Sequence, residues 1–308
     1  MSGPGLAQSL PAAPGSAAEL SSSVLNPAAP LALTLVPTQR WQQARGYETR
    51  QDPVAEETPI ALEYNGLPHV VMLATPTDLE DFALGFSLTE GLIDTPSDLL
   101  QVQRESYPGG GIRLQLQITP ACATRLASRS KNLTGRTGCG LCGAEQLAQV
   151  FRPLPPLGQT LRLSLQALQQ ALEQIATHQP LQRQTGATHA AFWLDASGRV
   201  VLGREDVGRH NALDKLLGAR AHAVAHTPAT PALSAVLITS RASMEMVQKS
   251  VQQGVEILVA ISAPTALAVD LAQRHGQTLV GFARPGQMTL YSHPQRLFDT
   301  APSGPISS

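Results

Sequence analysis

Cys139 and Cys142, in the run TGCGLCG at 137–143, are the residues whose type and spacing most directly allow chemistry. Two thiols at this spacing serve as half of a tetrahedral zinc site, as a redox pair, or as a nucleophile with a neighbour. A zinc site needs two more ligands. There is no second C-x-x-C, Cys122 stands alone, and His222-x-x-x-His226 lies far downstream in what reads as a Pro-rich loop. A thioredoxin-like pair should follow a strand and open a long helix, whereas KNLTGRTG before the pair reads as loop. Flanking glycines leave the sulfurs accessible, which speaks against an inert buried pair. These readings stay open beside a fourth, a nucleophilic thiolate. A free thiol titrates near about 8.5, and a cation or helix N-terminus lowers that value. Arg136 lies just upstream, and a helix start near Ala144–Glu145 would point N–H groups at Cys142. Glycine backbone lets a thiol swing between donor and acceptor.

A second polar concentration is EDVGRHNALDK at 205–215. It reads either as a solvated helix start capped by Asn211 or as a site where a helix N-terminus, Arg209 and His210 hold an anion.

These residues need elements to position them. IALEYNGLPHVVMLA alternates around Asn65-Gly66, a dipeptide that favours a tight hairpin. Thr77 and Glu80 have capping-box spacing ahead of a helix through Gly91. Thr95-Pro96 opens a loop, IRLQLQI at 112–118 reads as a strand, and 126–142 reads as loop. Ser164 can cap a helix carrying Leu165, Leu168, Leu172 and Ile175, closed by Pro180. AAFWL and RVVLG form a second hairpin. From 235 onward strand and helix alternate through AVLITS, MEMVQKSVQQG, VEILVAI, TALAVDLAQRHG and TLVGFA, the pattern of a parallel sheet covered by helices. The fold class expected is α/β. A loose Ala/Pro/Ser-rich tail spans 1–49 and a smaller α+β module spans 50–150. A C-terminal α/β module spans 160–296, and a second loose tail spans 297–308.

Composition bounds the partners. With 43% hydrophobic and 15% charged residues the chain can bury a sizeable core, and a net charge of −1 argues against non-specific nucleic-acid or membrane-surface binding. No stretch approaches the roughly 20 apolar residues of a membrane helix. The apolar LALTLV at 31–36 has no basic residue before it and is broken up by prolines, unlike a secretory leader. An odd count of 3 Cys makes a disulfide framework improbable and points to a reducing compartment, the cytoplasm.

The chain resembles the formate dehydrogenase accessory sulfurtransferase family (FdhD) in ATPTDLEDFALGFSLTEGLI at 74–93, TGCGLCG at 137–143 and GREDVGRHNALDKLLG at 203–218. The likeness continues in SRASMEMVQKSVQQGVEILVAISAPTALAVDLAQ at 240–273 and LVGFARPGQMTLYSHPQR at 279–296. The resemblance implies that a cysteine desulfurase hands over a persulfide sulfur. The carrier then delivers it to the molybdenum of bis-molybdopterin guanine dinucleotide, before that cofactor enters formate dehydrogenase. Cys139 matches the persulfide carrier and Cys142 its supporting neighbour. The family's cofactor-contacting segment matches Phe282, Ala283, Arg284, Pro285, Gly286 and Gln287, where some relatives are expected to carry a base in place of Gln287. Arg284 suits phosphate and Gly286 allows close approach. No permanent metal is implied, and dimerisation stays open. The resemblance also implies a cytidine deaminase-like C-terminal module. Deamination itself is disfavoured, because His210 is followed by Asn211-Ala212 rather than x-Glu and no Cys follows AVLITS. A non-catalytic chaperone of cofactor or apo-enzyme is the remaining rival, although such a protein would not require the cysteine pair.

Overall fold

A computed structural model describes residues 31–134, 153–158, 161–226 and 235–299. Cys139 and Cys142 lie outside the described residues. Leu31–Ser308 forms one compact unit. It contains a four-stranded and a six-stranded sheet.

The smaller sheet has the order β4-β3-β6-β5. Its strands are β3 (Thr58–Tyr64), β4 (Leu67–Ala74), β5 (Leu99–Ser106) and β6 (Ile112–Ile118). Asn65 and Gly66 join β3 to β4 at positive φ, 49° and 81°, as a two-residue hairpin turn requires. On one face Ile60, Leu62, Leu114 and Leu116 are fully buried with Phe82 and Leu84 of α1 (Leu79–Thr89). The start of α1 departs from the sequence reading. Its cap is Asp78, in the left-handed region and without a side-chain cap bond. The capping box occurs instead at Thr95 and Asp98, ahead of β5. The second helix, α2 (Pro120–Thr134), occupies much of what read as loop.

The larger sheet has the order β13-β12-β11-β10-β8-β9. Its strands are β8 (His189–Leu194), β9 (Val200–Asp206), β10 (Ala235–Ile238), β11 (Ile257–Ala260), β12 (Thr278–Arg284) and β13 (Gln287–Ser292). β10, β11 and β12 run parallel, and β8 and β13 pair antiparallel at their flanks. The sheet is therefore mixed. Four-residue strands of continuous Ala, Val, Leu and Ile are buried on both faces, because helices cover both. One face packs on α3 (Leu165–Gln174). The other packs on α5 (Arg209–His226), α6 (Met244–Gln252) and α7 (Ala266–His275). Ser164 caps α3 by accepting the Ala167 N–H at 3.0 Å. The stretch runs on through a 3-10 turn (Ile175–His178) and ends just ahead of Pro180, which itself opens a further short helix, α4 (Pro180–Thr185). His222 and His226 lie on α5 rather than in a loop. A two-stranded pair, β7 (Leu163–Ser164) with β14 (Leu297–Phe298), ties the last described residues to the start of the C-terminal half.

The expectation of a loose tail through residue 49 needs correcting. β1 (Leu33–Gln42) and β2 (Gly46–Ala55) pair as an antiparallel hairpin. Its Leu35, Trp41 and Tyr47 side chains are exposed, so no buried face imposes the alternation by which a strand is read from sequence.

The two sheets meet through α1 and α5, which cross at glycines. A Cβ on Gly85 would stand 1.8 Å from the Asp214 carbonyl oxygen, and one on Gly218 would stand 1.9 Å from the Asp81 carbonyl oxygen. Both obstacles are backbone, so the helices would have to part. Gly218→Ala is therefore expected to lower stability by about 1–3 kcal/mol, although alanine ordinarily favours a helix by about 1 kcal/mol. A chemical-denaturation midpoint equal to or above the wild type would contradict this crossing.

Candidate functional site at the edge of the larger sheet

The three parallel strands end on one edge of the sheet, and α6 and α7 begin there. α5 begins at the same edge, because β9 runs antiparallel to β8 and so parallel to β10. Open α/β sheets bind ligands outside the carboxyl ends of their strands.

Phe282 to Gln287 lie at this edge. β12 is irregular between Gly281 and Arg284, and Phe282 adopts φ 50°, which a non-glycine residue holds only when its surroundings enforce it. Its N–H donates to the Ser262 carbonyl at 3.1 Å, pinning the bulge to the loop after β11. Ala283 is buried, while Phe282 is exposed. Arg284 pairs across the hairpin with Gln287. Between them Pro285 and Gly286 turn the chain. Gly286 has φ 84° and open space where a Cβ would point, and its N–H donates to Gln169 Oε1 of α3 at 2.7 Å. The Arg284 residue is exposed, and its side chain makes no ion pair or hydrogen bond among the described residues. A free guanidinium beside open backbone and an exposed ring fits a ligand with anionic and aromatic parts.

The run 205–215 divides its labour. Glu205, on β9, accepts the Leu181 and Gln182 N–H groups at 2.9 and 2.8 Å, and so satisfies the N-terminus of α4. Asp206 and Lys215 are fully buried, with Lys215 Nζ 2.7 Å from Asp206 Oδ2. Lys215 also donates to the Thr75 carbonyl at 2.8 Å, while the Thr75 N–H donates to Asp206 Oδ2 at 3.0 Å. Asn211 is not a cap. Its Nδ2 donates to the Leu73 carbonyl at 2.8 Å and to Asp206 Oδ1 at 3.0 Å. Asp214 meets Lys249 Nζ at 2.9 Å, and Lys249 also reaches Glu90 Oε1 at 2.7 Å and Thr89 Oγ1 at 3.0 Å. Burial works against the Lys249 ammonium, but the Asp214 and Glu90 carboxylates together hold its pKa above the ordinary value. Most of this run therefore joins the two sheets by buried, fully hydrogen-bonded charges.

Arg209 and His210 remain at the edge. His210 Nε2 is 2.7 Å from Glu245 Oε2, within ion-pair distance but not aligned as a hydrogen bond. Burial first, and the Arg209 charge second, hold the His210 and His189 imidazoles below their ordinary pKa. Thr75, His189, Glu245 and Lys249 were not singled out in the sequence. They sit in unremarkable local contexts, and only the folded chain brings them to the run.

Cys122 is buried in the core of the smaller sheet. Its Sγ lies within 4.8 Å of ligand-type atoms of Asp94 and Asp98. Arg125 already sits among these groups, donating to Asp94 Oδ2 at 2.7 Å and to Cys122 Sγ at 3.3 Å. No helix among the described residues is long and apolar enough to cross a membrane.

A family model, described as the FdhD/NarQ family, matches residues 55–298. A sulfur carrier protein FdhD of Bordetella petrii is 51% identical over 253 residues, covering 82% of this chain and 89% of that one. One of Xanthomonas campestris pv. campestris is 52% identical over 264 residues, covering 86% and 92%. Among solved structures, one described as a formate dehydrogenase accessory protein from Desulfotalea psychrophila superposes with a TM-score of 0.67 at 24% identity. It covers 87% of this chain and 100% of its own, a likeness of fold.

Proposed function

This chain belongs to the FdhD/NarQ family, and from that premise we propose that it is a sulfur carrier supplying the molybdenum cofactor of a formate dehydrogenase. In this reading the Cys139 thiolate attacks the outer sulfur of a cysteine desulfurase persulfide. The sulfur–sulfur bond breaks, the desulfurase thiolate leaves, and Cys139 holds the persulfide. The outer sulfur then passes to the molybdenum of bis-molybdopterin guanine dinucleotide, which is substrate here. The metal centre supplies the electron pair of the new bond, and Cys139 departs as a thiolate. Cys142 stands by as a supporting thiol. The cytoplasm is the compartment proposed, on the low cysteine count.

The observation that carries the cofactor half of this reading is Arg284. Its side chain is an exposed cation without a partner among the described residues, at the carboxyl edge of the parallel strands, between the strained Phe282 and the open Gly286. Phosphate accepts the planar fork of guanidinium donors well, and a charge-assisted bond of that kind contributes roughly 1.5–3 kcal/mol. Arg284→Ala is therefore expected to weaken GDP binding by about ten- to hundredfold. Persulfide loading of Cys139 should be unchanged, because loading requires only the thiol and the desulfurase. Calorimetric titration at two salt concentrations, with loading assayed separately, checks both halves. Unchanged affinity would remove Arg284 from the site, and lost loading with intact GDP binding would assign it to the desulfurase contact.

A further inference from the structure

Arg284, Pro285, Gly286 and Gln287 form the turn between β12 and β13, with Arg284 paired to Gln287. Proline fixes its own φ at about −65°, and Gly286 follows at φ 84°. Together they make a type II turn. Two-residue hairpins ordinarily use the mirror-image types, because type II splays strands of right-handed twist. The hairpin therefore does not dictate the turn that closes it. A Pro-Gly pair also suits a type I turn, since glycine takes either sign of φ. The two types differ by a flip of the Pro285–Gly286 peptide, which reverses the direction of the Gly286 N–H.

The usual bond within such a turn joins the first carbonyl to the fourth N–H, so the Gly286 N–H needs a partner elsewhere. It donates to Gln169 Oε1 at 2.7 Å, from a residue 117 positions earlier in the chain. Only the oxygen of a carboxamide accepts an N–H, so this contact also fixes which way the Gln169 amide faces. Gln169 is half-buried on α3, which is a firm base. Ser164 caps that helix, and its Leu168 and Leu172 are buried in one cluster with Ala283, against which Met288 packs. The arms of the turn are thus held on α3, and the Phe282 N–H is held by the Ser262 carbonyl at 3.1 Å. Among the described residues, the Gln169 bond is what fixes the central peptide between those arms.

We propose that Gln169 is a positioning residue for Arg284: its carboxamide locks the type II form of the turn, and with it the direction in which the guanidinium meets an anionic ligand. This role rests on the cofactor reading above. A flip to type I would turn the Gly286 N–H away from α3 and swing the ends of β12 and β13 relative to each other. A turn locked beforehand spares the ligand the cost of ordering it.

Calorimetric titration of the full chain with GDP, for wild type, Gln169→Ala, Arg284→Ala and the double variant, measures the coupling. Amide hydrogen exchange by NMR at Gly286 reports the lock. Gln169→Ala should weaken GDP about three- to tenfold, the worth of one ordinary hydrogen bond. Alanine favours a helix, so α3 should persist. In the Arg284→Ala background the same change should have no further effect, because Gln169 acts through the guanidinium. A general loss of stability would not vanish in that background. The Gly286 amide should exchange faster in Gln169→Ala and stay slow in Gln169→Glu, whose carboxyl oxygen accepts the same N–H. Wild-type GDP affinity in Gln169→Ala, an equal loss in both backgrounds, or unchanged Gly286 exchange would each overturn the role of Gln169. An Arg284→Ala variant with unchanged GDP affinity, beside a Gly286 amide freed in Gln169→Ala, would instead overturn the cofactor reading while upholding the lock on the turn.

Discussion

Cells in which Cys139→Ala replaces the wild-type chain are expected to have formate dehydrogenase activity at background. A persulfide has no other attachment point in this reading, so removing one sulfur atom removes the whole carrier step. Losing a nucleophile typically costs several orders of magnitude in rate. The loss should not come from unfolding. Glycines flank the pair on both sides, and a substitution in such a segment ordinarily changes stability by no more than about 0.5 kcal/mol. Cys142→Ala should be milder. A persulfide on one thiol can give up its outer sulfur without help, whereas a neighbouring thiol tends to discharge it by closing a disulfide. Equal and complete loss in both variants would mean that the pair acts as a unit, and normal activity in Cys139→Ala would end the persulfide assignment.

The largest effect on stability is expected at Lys215. Lys215→Ala leaves the Asp206 carboxylate fully buried without its cation and the Thr75 carbonyl without its donor. Removing one partner of a buried pair costs about 3–5 kcal/mol, a large share of the roughly 5–15 kcal/mol that holds a domain folded. The loss should fall on the join between the sheets, since Thr75 follows β4 and Lys215 belongs to α5. Arg274→Ala provides the contrast. Arg274 and Asp270 lie 2.6 Å apart, but both side chains are more than half exposed. Such a pair is worth about 0–1 kcal/mol. Guanidinium denaturation of the two variants beside the wild type measures both, and similar midpoints would contradict the account of the buried cluster.

These buried charges also show where sequence reading stops. Hydrophobic period and turn chemistry marked the Asn65-Gly66 hairpin, the Ser164 cap and the alternating strands and helices from 235 onward, because each signal is local. The charges of 205–215 were visible too, but their partners were not. The Lys215 contact to Thr75 spans 140 positions and the Asn211 contact to Leu73 spans 138. A run that looked like a solvated helix start is mostly interior for that reason. The β1–β2 hairpin escaped notice because its apolar residues face outward. β5 escaped because LLQVQRES gains its strand character only from pairing with β6. At the sheet edge, the segment 282–287 was legible through family resemblance and Pro-Gly turn chemistry. The positive φ of Phe282 and the joint between His210 and Glu245 depend on how strands and helices stack, which no local pattern records.

The central claim is that Cys139 takes up sulfur, and mass spectrometry of the whole protein tests it most directly. The protein is incubated with a cysteine desulfurase and cysteine, then digested without reductant. The account predicts a gain of one sulfur atom on the peptide that carries Cys139, and no such gain in Cys139→Ala. Bound zinc at the cysteine pair with no sulfur adduct on any cysteine would contradict it.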